Sequence, residues 1–177
     1  MRIGIDLDDT ICSTSDIVHE MLDDYAKEMN LDPVHIMNDE SLRFEFFNKN
    51  LINIYTNVEI KSGAKDIINK MHSKDNEIYL ITARTNGIYN VEEITKKWLD
   101  SNGVLYDELI MSSYGDGKAK VCKQNKIDLM IDDDPYNYKM ISLEGINCLL
   151  FDDRAKYELK ENYVTSWYQI EKYFEGE

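Results

Sequence analysis

Only two prolines interrupt the 177 residues, Pro33 and Pro135, and no stretch is rich in proline or glycine. That leaves no linker between separate domains; a chain of this length fits one domain with room for a small inserted subdomain. Cysteine is equally scarce. Cys12, Cys122 and Cys148 are scattered, with no CxxC spacing. An odd set at such intervals makes neither a disulfide frame nor a zinc site, and it points to reduced thiols in a cytoplasmic protein. No apolar run approaches the ~20 residues of a membrane span. The N-terminus enters a strand at once, which leaves no place for a signal peptide. Positive charge is also short: 20 Lys and Arg face 34 Asp and Glu, a formal charge of −14. Such a surface repels nucleic-acid polymers and anionic membranes, while a small phosphorylated metabolite still fits a local positive pocket. There are no internal repeats and no low-complexity tracts.

What is present begins with Arg2-Ile3-Gly4-Ile5-Asp6-Leu7-Asp8-Asp9-Thr10. It reads as a buried strand over Ile3 to Leu7 that runs straight into carboxylates. Acids are depleted in strand interiors because an unpaired buried carboxylate is costly. With a period of two, Asp6 and Asp8 point to one side, ~6–7 Å apart along the chain. Two like charges so placed call for a hard, oxygen-binding cation such as Mg²⁺, or for a shifted pKa on one of them. The alternative is a strand ending in a solvated acidic turn, with Asp9 or Thr10 capping the next helix.

After this strand, apolar residues from Ile17 to Met29 follow a helical spacing that breaks at Asn30-Leu31-Asp32-Pro33. Residues 34–60 also read as helical and carry Phe44, Phe46, Phe47 and Tyr55. A helix from about Ala64 to His72 leads to a buried strand, Ile78 to Ile81, that ends at Thr82-Ala83-Arg84. Strands and helices then alternate. Strands are expected at 108–111, 128–131 and 147–151, and helices at about 91–101, from 117, at 137–143 and at 166–174. Alternation predicts an α/β fold with three layers, a Rossmann-like parallel sheet between helices. Residues 14–60 break the alternation and read as a small helical cap inserted after the first strand; residues 1–13 and 61–177 form the core domain.

In an open parallel sheet, function gathers at the carboxyl ends of the strands. The first strand ends in Asp6, Asp8 and Asp9, and the second in Thr82 and Arg84. The strand over 128–131 ends in Asp132, Asp133 and Asp134, and Lys118 begins the helix before it. Carboxylates, a hydroxyl and a lysine at these positions suit a metal and a phosphate. A carboxylate can attack phosphorus, a second can move protons, and Mg²⁺ with a lysine offsets charge on the transferred group.

At these residues the sequence resembles the haloacid dehalogenase superfamily of phosphohydrolases. Asp6-Leu7-Asp8-Asp9-Thr10 is similar to its DxDxT motif, Leu80-Ile81-Thr82 to the second motif, Lys118 to the third and Ile131-Asp132-Asp133 to the fourth, in family order. The resemblance implies Asp6 as nucleophile and Asp8 as general acid and base. It implies Mg²⁺ held by Asp6, the Asp8 main-chain carbonyl and Asp132, with Asp133 supporting. Thr82 and Lys118 would hold the phosphate. Asp8 points to phosphate chemistry, since the true dehalogenases lack the second aspartate of the first motif. A looser likeness, through Ile-Thr-Ala-Arg and Ile-Asp-Asp-Asp-Pro, is to the 5'-nucleotidase and deoxyribonucleotidase branch, which implies hydrolysis of nucleoside monophosphates. The alternative substrate is a sugar phosphate or another small metabolite.

Several residues keep two readings. Lys120 competes with Lys118, which is preferred for its longer spacing to Asp132. Arg84 binds substrate phosphate or pairs with an acid. Asp134 caps a helix or touches metal. The Phe44-Phe46-Phe47 cluster is core of the cap rather than a shelf for a base. His19, His35 and His72 show no ligand spacing. Two other classes remain: a phospho-acceptor switch resembling a response-regulator receiver, and a catalytically silent binding protein.

Overall fold

A computed structural model describes residues 1–84, 90–113, 117–158 and 161–176. The chain runs β1 (Arg2–Ile5), α1 (Thr14–Met29), α2 (Pro33–Asn38), α3 (Glu40–Asn57), α4 (Ala64–Ser73), β2 (Glu77–Thr82), α5 (Val91–Asn102) and β3 (Glu108–Met111). It continues through α6 (Gly117–Gln124), β4 (Leu129–Asp132), α7 (Pro135–Leu143), β5 (Asn147–Phe151), β6 (Tyr163–Val164) and α8 (Trp167–Glu175). The strands form one sheet in the order β3-β2-β1-β4-β5-β6, every neighbouring pair parallel. This is the expected three-layer α/β fold. No helix among the described residues is long and apolar enough to cross a membrane.

Side chains alternate across the sheet as a period of two requires. Ile3 and Ile5 face one way, into a core built with Ile78, Leu80 and Ile131 against Ile68 of α4, Trp98 of α5 and Trp167 of α8. Tyr79, Ile81 and Met130 face the other way, onto Cys122 of α6 and Ile141 of α7. Gly4 lies on this second face. A Cβ there would sit 2.6 Å from the Met130 sulfur, so the close packing of β1 on β4 needs a glycine. Each fully buried aliphatic side chain contributes roughly 1.5–3 kcal/mol. The two buried tryptophans also tether loops. Trp167 Nε1 donates to the Thr10 carbonyl at 3.0 Å, and Trp98 Nε1 to the Val58 carbonyl at 2.9 Å.

Helices α1–α3 gather around a separate cluster of Leu22, Tyr25, Ala26, Ile36 and Phe46. The predicted helical stretch over 34–60 is two helices. Asp39 separates them: it closes α2 and its carboxylate accepts from the Ser41 and Leu42 amides at the start of α3. The first strand stops at Ile5 and not at Leu7. The Leu7 carbonyl instead accepts from the Thr10, Ile11 and Cys12 amides, a turn in which Asp9 takes a left-handed φ of 58°. Asp tolerates that conformation better than most residues. Strand β6 was not expected, being two residues long.

Candidate active site

Strand β1 lies between β2 and β4. The chain winds outward from β1 through β2 to β3 and then returns to β1's other side with β4. Ligands in such sheets bind at this reversal, beyond the strand ends. Asp6 follows β1 and its amide donates to the Ile131 carbonyl at 2.9 Å, which holds it beside Asp132 at the end of β4. Lys118, in the first turn of α6, lies between them. Its Nζ is 2.8 Å from Asp6 Oδ1 and 2.6 Å from Asp132 Oδ2. The other oxygen of Asp132 accepts from the Asp134 amide at 3.0 Å and from Asn137 Nδ2 at 3.1 Å. A Cβ at Gly117 would lie 2.2 Å from Ser113 Oγ and 3.2 Å from its Cβ, so the start of α6 packs closely on Ser113. Lys118 is buried and pairs with both acids, whereas Lys120 is exposed and pairs with neither, so geometry selects Lys118.

Carboxylate oxygens of Asp6, Asp132 and Asp133 lie within 4.8 Å of one another. Burial pushes the Asp6 carboxyl up to about 7; Lys118 pulls it down, but Asp132 and Asp8 add repulsion. Burial, together with Asp6, Asp132 and Asp9, pushes Asp133 up to about 9. Lys118 is driven the other way from what burial alone would do, because Asp6 and Asp132 hold its proton. Three crowded carboxyl groups, two of them resisting ionisation, form a donor set of hard oxygens that a cation would relieve. The set fits Mg²⁺.

Asp8 is held differently. Arg84 donates to it from Nε at 3.0 Å to both oxygens and from Nη2 at 2.7 Å, and Thr14 Oγ1 adds a bond of 2.6 Å. Burial raises the Asp8 pKa, but the Arg84 charge and these hydrogen bonds outweigh it and hold the carboxyl below its usual range. Arg84 is 2% exposed. Its guanidinium lies over the Tyr55 ring at 4.2 Å and near Trp98 at 5.9 Å, and Nη2 is 3.3 Å from the Cys12 sulfur. Cys12 is thus both core and backing for Asp8. Burial pushes its thiol up to about 12.

These residues open onto a cavity of about 330 Å³ lined by Asp6, Asp8, Asp9, Asp133, Asp134 and Lys118, with Ala83, Ser113, Pro135, Tyr136, Asn137, Lys156 and Tyr157. A larger hollow, about 620 Å³, lies between the end of α3 and α5 and lacks the acid–lysine set, so it is not the site. Asp132 is fully buried and is not among the residues that line the cavity. Thr82 and Arg84 do not line it. The Thr82 hydroxyl is buried and accepts from the Arg84 amide at 3.3 Å, and Arg84 takes up Asp8 instead of the pocket. Asp134 both lines the cavity and caps α7 through the Tyr136 amide, at 2.8 Å. Phe46 is fully buried between Tyr25 and Phe47, at 5.5 and 5.1 Å between ring centres, and serves as cap core. Ser113, Tyr136, Lys156 and Tyr157 were not anticipated from sequence. The available signal was position: they follow β3, β4 and β5, at the same sheet edge as the acids.

No protein-family profile and no curated protein matches this sequence. Its fold is that of the haloacid dehalogenase-like hydrolases among solved structures. A haloacid dehalogenase-like hydrolase from Streptococcus pneumoniae superposes with a TM-score of 0.74 at 12% identity, over 98% of this chain and 97% of its own. A putative β-phosphoglucomutase from Thermotoga maritima gives 0.69 at 11% identity, over 99% and 98%. The putative hydrolase YfnB of Bacillus subtilis, solved bound to magnesium, gives 0.63 at 14% identity, over 98% and 97%. At such identities the likeness is one of fold. None of these three is described as a nucleotidase.

Proposed function

We propose that the protein hydrolyses a small phosphomonoester through an aspartyl-phosphate on Asp6. The observation that carries this is the convergence of Asp6, Asp132 and Asp133 with Lys118 at the reversal between β1 and β4. An Asp6 oxygen attacks phosphorus as the bond to the leaving oxygen breaks, and that oxygen takes a proton from Asp8. Water then attacks the phosphorus and gives a proton to Asp8, which frees inorganic phosphate and restores Asp6. The grip of Arg84 favours the ionised Asp8 needed for this second half. Lys118 offsets charge on the phosphoryl group and keeps Asp6 in place. Asp6, Asp132 and the Asp8 main-chain carbonyl, with Asp133 supporting, would hold Mg²⁺, which when bound supplies further charge neutralisation. The magnesium in the B. subtilis protein supports this choice of ion.

Helices α1–α3, within residues 14–60, act as a cap over a core of residues 1–13 and 61–177. The substrate is a nucleoside monophosphate in the reading that rests on the sequence likeness. The likeness of fold to a putative β-phosphoglucomutase favours a sugar phosphate as the second reading. Partners other than this small metabolite are not invoked.

The test is release of inorganic phosphate, with Mg²⁺, from acetyl phosphate, nucleoside monophosphates and hexose phosphates, by the native protein and by Asp6→Asn. Steady turnover that Asp6→Asn abolishes is expected. A single phosphorylation without turnover would make the protein a phospho-acceptor switch, and no phosphorylation at all would make it a binding protein.

A further inference from the structure

Part of the pocket's lining comes from the start of α7, after β4, and from the loop after β5, and none of it from the helices of the insertion. Tyr136 follows β4, and Lys156 and Tyr157 follow β5. Both rings are open to solvent, Tyr136 at 50% and Tyr157 at 38%.

The loop that carries Lys156 and Tyr157 is nevertheless fixed at its base. Asp152, 4% exposed, accepts from the Lys156 amide on one oxygen at 3.0 Å and from the Tyr157 amide on the other at 2.9 Å. Asp153 pairs with buried Lys61, and Arg154 Nη2 donates to Asp16 at 2.8 Å. Across the cleft, Tyr138 of α7 packs edge-on against Tyr163 of β6, with 5.8 Å between ring centres. The start of α7 and the base of the loop after β5 are thus each anchored, while the Tyr136 and Tyr157 rings stay open to solvent.

Charge on the wall is uneven. Asp6, Asp8, Asp9, Asp133 and Asp134 face the cavity, and the only lysines among its described lining residues are Lys118 and Lys156. Lys118 is committed to Asp6 and Asp132. Lys156 makes no ion pair among the described residues. A cation left uncommitted beside two open rings has the chemistry to hold a flat ring that carries hydrogen-bond acceptors. Tyrosine faces stack on such a ring, and an ammonium supplies up to three donors to its edge.

We propose that Tyr136, Lys156 and Tyr157 form the leaving-group subsite of the pocket, and that this subsite takes a phosphomonoester bearing a planar heteroaromatic ring. Asp152 is its positioning residue. The proposal rests on the phosphohydrolase reading only in that the acids mark where the phosphoryl end goes.

Binding of phosphonates, which cannot be hydrolysed, tests it by calorimetry on the Mg²⁺-loaded native protein. The probes are methylphosphonate, a hexose 6-phosphonate and a nucleoside 5'-phosphonate. The nucleoside compound should bind at least ~10-fold more tightly than methylphosphonate, in line with base stacking on aromatic side chains. Tyr136→Leu, Tyr157→Leu and Lys156→Ala should each remove several-fold of that advantage, and Asp152→Ala most of it. Methylphosphonate affinity should stay unchanged in all four. Because the three wall residues are exposed, their variants should melt with the native protein; Asp152→Ala is read only against its own methylphosphonate binding. Equal affinity for the three probes, a hexose compound as tight as the nucleoside one, or an advantage that survives the substitutions would overturn the subsite. Acetyl phosphate turnover, measured in parallel, separates this from the parent reading. Turnover with no discrimination sinks the subsite alone, and discrimination with no turnover sinks the hydrolase reading alone.

Discussion

Arg84 grips the Asp8 carboxylate through three hydrogen bonds, two from Nε at 3.0 Å and one from Nη2 at 2.7 Å. The guanidinium itself is walled in by Tyr55, Trp98 and Cys12. Two consequences can be measured. Removing one partner of a buried ion pair costs about 3–5 kcal/mol. Asp8 keeps 30% of its side chain exposed, so water screens part of its charge and the loss on Arg84→Ala should fall near the low end, about 3 kcal/mol by urea unfolding.

The second consequence is kinetic. Arg84 holds the Asp8 carboxyl low and so preserves its base form as the pH falls. Arg84→Lys keeps a charge but loses the planar fork. The overall acid limb belongs to Asp6, so the change is expected in the second half alone: hydrolysis of the aspartyl-phosphate, isolated by single-turnover kinetics, should lose rate on the acid side at a higher pH than in the native enzyme. An acid limb that stays where it was would separate Arg84 from the proton transfer.

Lys118 supplies the positive charge that pairs with the buried Asp6 and Asp132 carboxylates. Lys118→Met should lower stability by about 3–5 kcal/mol in EDTA, as expected for uncompensated buried charge, and remove turnover. Lys120→Met, on the exposed side of the same helix, should do neither. Denaturation curves in EDTA compare the two variants directly.

The acids also set a pH dependence. Burial pushes the Asp6 carboxyl up to about 7 and that of Asp133 up to about 9, both from an ordinary value of 3.8. Between 3.8 and those values the folded protein binds more protons than the unfolded chain. Stability from these groups is therefore complete at low pH and is lost as the pH rises through 7 and 9. Mg²⁺ binds the ionised acids, so its stabilising effect should grow over the same range. The melting temperature in EDTA should fall from pH 5 to about pH 9 relative to the Mg²⁺-loaded protein. A gap between the two curves that does not widen would place the metal elsewhere.

How much of this was legible beforehand differs by residue. Asp6, Asp8 and Asp132 stood out because acids at the ends of apolar strands contradict burial unless something binds them. The sheet was legible because strands and helices alternate along the chain after residue 60, an order that a parallel sheet with helical crossovers requires. Spacing to Asp132 favoured Lys118 over Lys120, and the phase of α6 on the sheet is what buries Lys118 and leaves Lys120 exposed. Thr82 and Arg84 were placed correctly at the end of β2, but the direction of the chain beyond the strand is set by tertiary packing on Asp8 and Tyr55. Lys156 and Tyr157 carried no local signal beyond their place after β5, because Asp152 shapes their loop and β6 is too short to show a period; Tyr136 is placed by the start of α7, which Asp134 caps.

Phe46 separates the two possible roles of the insertion's aromatic cluster. It is fully buried, with Tyr25 and Phe47 packed on it, and no residue of α1–α3 lines the cavity. Phe46→Leu removes ring volume from that cluster but keeps an apolar side chain. The cost should be about 1–2 kcal/mol, below the full Phe→Ala penalty of about 3–5 kcal/mol. Turnover of a nucleoside monophosphate and of acetyl phosphate should then fall together, or not at all, because the ring touches neither. Tyr157→Leu should behave the opposite way, with an unchanged melting temperature and a selective loss for the ring-bearing substrate. Thermal unfolding and kcat/KM for both substrates, measured on both variants, distinguish the cases. A selective loss of nucleotide turnover in Phe46→Leu would return substrate choice to the insertion and remove it from α7 and the loop after β5.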